Sequence, residues 1–159
     1  MNVIKWERRT DIVLVGHSYG GMVITGVAEK MGSTIGSILF LGAFVPENGQ
    51  SILDLNTGRP MLVDAIRGSL EKAELGVSAP SAEFFRVNES DRSWVDAMCT
   101  PQPLASFMEP ITETGARNRI PKKIYVRASG NPNAIFNGFL EDIAQGRVGG
   151  PMKCPVGMT

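Results

Sequence analysis

Hydrophobic and polar positions change pattern three times along this chain. Asp11-Ile-Val-Leu-Val15 is a short β-branched run bounded by a charge and a glycine, which predicts a buried strand. Residues 16–21 form a tight, glycine-rich turn. Beyond it Met22, Val23, Val27, Ala28 and Met31 are spaced for one helical face, and Gly32 supplies a stop. Residues 37–45, Ser-Ile-Leu-Phe-Leu-Gly-Ala-Phe-Val, predict a second buried strand, ended by Pro46. Strand, turn, helix and strand in this order make a βαβ unit, whose two strands should be parallel.

The pattern breaks after Glu47. Residues 47–119 carry Pro60, Pro80, Pro101, Pro103 and Pro110, with short helices predicted at 61–75 and 90–99. This stretch reads as an inserted cap or lid rather than a second domain. Residues 121–128 predict a third strand, and Ile135, Phe136, Phe139, Leu140 and Ile143 give a helical face after it. The expected organisation is a core from residues 1–46 and 120–146 around a 47–119 insertion. Residues 147–159, rich in glycine and proline and without periodicity, are expected to be a disordered tail.

Composition narrows the function classes. The chain has 159 residues, enough for one domain with a real core. Lys+Arg and Asp+Glu are both 16, so no basic excess points to nucleic acid or an anionic membrane. The longest apolar stretch, residues 35–45, is too short to span a bilayer. The first ten residues carry charges where a signal peptide would be apolar. Cys99 and Cys154 cannot build a disulfide framework and suit a reducing, cytoplasmic setting. One histidine and two distant cysteines offer no metal-ligand spacing, so no metal is expected. The glycine turn lacks the Lys-Ser/Thr ending of a phosphate-binding loop.

The candidate chemistry sits in Gly16-His17-Ser18-Tyr19-Gly20, a G-x-S-x-G pattern followed by Gly21. It follows a predicted strand and opens a predicted helix, the setting of a nucleophile elbow. A serine on so sharp a turn is strained. Gly16 and Gly20, two before and two after, are expected to let strand and helix pack closely. The helix N-terminus favours developing negative charge, and the Tyr19 N–H is the expected oxyanion donor. His17, adjacent to Ser18 on the turn, should point away from it. It is expected to be a packed or hydrogen-bonded histidine under the turn rather than the base.

These residues, with Leu39-Phe-Leu-Gly-Ala-Phe-Val-Pro46, resemble the α/β-hydrolase fold. Lys122-Lys-Ile-Tyr-Val126 and Trp94-Val-Asp-Ala-Met-Cys-Thr-Pro-Gln-Pro103 are similar to the branch of plant methylesterases, hydroxynitrile lyases and their bacterial esterase relatives. The resemblance implies an α/β fold with a mostly parallel sheet and an inserted helical cap. It also implies a cofactor-free Ser–acid–His triad acting on small ester-type substrates. Ser18 matches the nucleophile, and the N–H of Tyr19 an oxyanion donor. The acid is expected just after the third strand, where Asn131 stands. Asp142 is the nearest downstream aspartate. The histidine position falls on Met158 when residues 154–158 are laid over the family's loop. The family's earlier strands and oxyanion loop have no counterpart ahead of the elbow, so the chain is expected to be a fragment.

The resulting expectation is a serine esterase of small substrates working by acyl transfer through Ser18, impaired in this chain. The alternatives are a non-catalytic hydrolase-like module binding a small ligand, and a hydroxynitrile lyase-type activity. A small-molecule ester-like substrate is the expected partner, with no nucleic acid or membrane. An exposed sheet edge would favour self-association.

Overall fold

A computed structural model describes residues 1–57 and 60–127, and the chain falls into two units. The first unit combines Met1–Leu55 with the described chain from Pro110 onward. Its elements are α1 (Asn2–Trp6), β1 (Ile12–Ser18), α2 (Gly20–Met31), β2 (Ile35–Ala43), α3 (Ile52–Leu55) and, after the second unit, β5 (Lys122–Val126). Residues 47–55 and 110–119, read from sequence as insertion, belong to this unit.

The sheet has the order β1-β2-β5, with both pairs parallel. Gly16 lies opposite Phe40, which lies opposite Tyr125, so these three share one side of the sheet. α2 covers that side. Met22, Ile24 and Ala28 of the helix are buried, and so are Ile38, Phe40 and Tyr125. On the other side Val13, Val15 and Leu41 are exposed among the described residues. The predicted βαβ unit is therefore present. β1 runs on to Ser18, leaving Tyr19 alone between strand and helix, so the turn is tighter than residues 16–21 predict. β2 starts at Ile35 and stops at Ala43, because Phe44–Pro46 leave the ladder.

α3 begins with a capping box. The Ser51 amide and hydroxyl both donate to Asp54 Oδ2, at 2.8 and 2.6 Å, and the Asp54 amide donates back to Ser51 Oγ at 3.2 Å. These bonds hold the Asp54 carboxyl below its ordinary pKa, the Ser51 hydroxyl acting most strongly.

The second unit is Asn56–Glu109. It contains α4 (Pro60–Glu71), β3 (Gly76–Val77), α5 (Glu89–Met98), β4 (Gln102–Pro103) and α6 (Leu104–Met108). β3 and β4 pair antiparallel, and the Leu104 amide donates to the Leu75 carbonyl beside them. The Asp96 carboxylate of α5 accepts from the Ala82 amide at 2.7 Å, tying helix to loop. The helices predicted at 61–75 and 90–99 are α4 and α5. Among the described residues no helix is long and apolar enough to cross a membrane. The helical face from Ile135, the Asn131, Asp142 and Met158 positions and the 147–159 tail lie outside the described residues.

Candidate active site

Ser18 ends β1 with φ of +52°, in the left-handed region that a serine adopts only where its surroundings hold it. Tyr19 follows in helical conformation (φ −55°, ψ −27°) as the N-cap of α2. The amides at the start of a helix have no intrahelical acceptor, so this end presents donors and the positive pole of the helix dipole. Strand end, strained serine and helix start are thus consecutive, as a nucleophile elbow requires.

The glycines divide the work differently from the sequence expectation. A β-carbon on Gly16 would lie 2.7 Å from the Gly20 carbonyl oxygen and 2.8 Å from Ile24 Cδ1, so only glycine fits there. A β-carbon on Gly20 meets nothing within 4 Å among the described residues. The second close approach is at Gly21, where a β-carbon would fall on the Phe44 carbonyl oxygen. Helix α2 crosses the backbone leaving β2 one residue later than the motif implies.

His17 also differs from expectation. It is exposed rather than packed under the turn. Strand alternation puts it on the side of Val13 and Val15, which α2 does not cover, while Gly16 faces the helix. Burial under the turn would need it on the covered side. The same geometry separates its imidazole from Ser18.

Phe44, just past β2, meets the turn at Ser18 and Gly21. The Phe44 amide donates to the Ser18 carbonyl at 3.1 Å, and the Tyr125 hydroxyl donates to the Ala43 carbonyl at 3.1 Å. Arg117, with no side-chain exposure, donates from Nη1 to the Pro46 carbonyl at 2.8 Å. Its Nη2 meets Glu113 at 3.3 Å and Glu47 at 3.4 Å. Burial pushes the Glu113 carboxyl above its ordinary pKa. Arg117 opposes that rise, while Glu47 and Glu29 add to it. Glu29 of α2 accepts from Thr114 Oγ1 at 2.6 Å and the Ala116 amide at 2.9 Å. None of this support was legible beforehand. A buried arginine in a short 3-10 turn has the sequence signature of an exposed one, and Tyr125 reads only as a strand residue.

Comparison with known proteins agrees with this geometry. The alpha/beta hydrolase family matches residues 2–154, and the chain belongs to that family. A carbendazim-hydrolysing esterase from Nocardioides sp. (strain SG-4G) is 36% identical over 148 residues, covering 89% of this chain and 61% of that protein. An extracellular α/β-hydrolase from a Paenibacillus species, homologous in structure and function to tobacco salicylic acid binding protein 2, superposes with a TM-score of 0.68. It has 21% identity over 84% of this chain and 59% of its own. A methylesterase from Arabidopsis gives a TM-score of 0.61 at 17% identity, over 94% of this chain and 60% of its own. The chain therefore spans about three fifths of the length of these relatives.

Proposed function

We propose that Ser18 is the nucleophile of an acyl-transfer reaction on small ester-type substrates. The observation that carries this reading is the +52° φ of Ser18 between a strand end and a helix N-terminus. Arg8, Asp11, Ala73 and Arg86 share a positive φ, but among these residues only Ser18 stands at a strand end directly followed by a helix, and it is this combination that supports the reading. The esterase relative and the methylesterase-like fold support the substrate class.

In the proposed reaction Ser18 Oγ attacks the substrate carbonyl carbon, and the oxygen that becomes negative is held by the Tyr19 N–H. The ester C–O bond then breaks and the alcohol leaves with a proton. Water attacks the acyl-serine, the acid departs and the hydroxyl is restored. The Ser18 proton has to pass to a base. His17, the one histidine of the sequence, is on the wrong side of β1 for that role. The Asn56–Glu109 unit, which falls between β2 and β5 in chain order, is read as the inserted cap of the family.

A fluorophosphonate probe tests the reading. Covalent labelling that disappears in Ser18→Ala supports an activated serine. A chain that stays unlabelled, yet binds small acyl or aromatic ligands, would instead be a binding module.

A further inference from the structure

We infer that Tyr125 is a positioning residue for Ser18, acting through the backbone of Ala43 and Phe44; this rests on Ser18 being the nucleophile. Among the described residues β2 and β5 pair from Ser37↔Lys122 to Leu41↔Val126. Ala43 lies two residues beyond the last of these pairs. Tyr125 sits opposite Phe40 and is fully buried, and its hydroxyl reaches forward to donate to the Ala43 carbonyl at 3.1 Å.

That bond holds the stretch on which the elbow rests. Ser18 is the register partner of Ala43, across an irregularity that skips Gly42, itself at φ +45°. The next amide, Phe44 N–H, donates to the Ser18 carbonyl. The next carbonyl, Phe44 C=O, closes on Gly21 at the start of α2. The Ala43–Phe44 peptide region therefore meets the elbow on both sides of Ser18. Arg117 fixes the chain just beyond it at Pro46, and Tyr125 of β5 fixes Ala43 itself. A strained φ persists only where its surroundings over-determine it. Releasing Ala43 removes one of those constraints without touching Ser18 or any group that would meet substrate.

The test is Tyr125→Phe in the full chain, which deletes one hydroxyl and keeps the ring. Two rates are read at matched thermal stability: amide exchange at Phe44 and fluorophosphonate labelling of Ser18. Loss of one buried hydrogen bond should speed Phe44 exchange about tenfold and slow labelling by about the same factor. The ladder amide of Leu39 should exchange as before. Unchanged Phe44 exchange, or Leu39 speeding up equally, overturns the proposal, the second because it shows general loosening. Absence of labelling in the unmutated chain would sink the nucleophile reading alone, since Phe44 exchange still decides the role of Tyr125.

Discussion

Gly21 and Phe44 are in backbone contact, and no side chain of any size fits between them. This one approach fixes how close α2 lies to the end of β2, and with it the height at which Ser18 stands above the sheet. The motif glycine beside it, Gly20, has open space around its α-carbon.

The two glycines should therefore respond oppositely to the same change. Gly21→Ala forces backbone apart and should cost about 3 kcal/mol, the upper range of overpacking. Gly20→Ala, at the first position of α2, should be neutral or stabilising by up to about 1 kcal/mol. Chemical denaturation of both variants checks this. Equal losses would show that the packing contact has been assigned to the wrong glycine.

Arg117 is a buried cation whose partners are Glu113, Glu47 and the Pro46 carbonyl. Removing one side of such an arrangement strands the other. Arg117→Met should destabilise by about 3–5 kcal/mol near pH 8, where Glu113 is left as an unpaired buried carboxylate. The penalty should shrink toward pH 5 as Glu113 takes up a proton. The sign follows from its raised pKa. The stability that proton binding contributes is complete below the ordinary value of 4.5 and is lost as pH rises through the folded-state value. Stability measured across that range, with a flat penalty, would count against a buried Glu113.

The capping box predicts the opposite pH sign. Ser51→Ala should lower stability by about 1 kcal/mol at neutral pH. Asp54 titrates below its ordinary value, so its contribution is present above pH 3.8 and is lost as pH falls through the folded-state value. The difference between Ser51→Ala and the unmutated chain should therefore narrow in acid. Urea midpoints taken from pH 7 down to pH 3 would reveal it.

His17 should be dispensable for the reactivity of Ser18. It lies on the uncovered side of β1, beside Val15 in sequence-alternating register. His17→Ala should leave the rate of Ser18 labelling by a fluorophosphonate unchanged within about twofold, below the effect of losing any single catalytic hydrogen bond. A fall of about a hundredfold or more, the size expected for a lost general base, would reinstate the histidine.

Much of the first unit was readable because it depends on local pattern. The β-branched run at Ile12–Val15 and the helical spacing after Met22 each specify an element by themselves, whereas Pro46 placed the end of β2 two residues late. The tight strand-to-helix turn was readable because glycine spacing and strand–helix context report backbone conformation. Position within the motif was a poorer guide: Gly20 was assigned the packing role that Gly21 performs. His17 was placed under the turn, whereas the covered side of β1 is the side of Gly16.

The sequence by itself determined the main elements of the first unit and the place of the strand-to-helix turn at Ser18, since propensity, periodicity and the demands of a tight turn act over a few neighbours. Only the tertiary structure decided what holds that residue in place. Tyr125, Arg117 and Glu29 reach Ala43, Pro46 and Ala116 across 71 to 87 positions of chain. Bonds between a side chain and a distant backbone carbonyl or amide leave no periodic trace, because the backbone partner is the same in every residue.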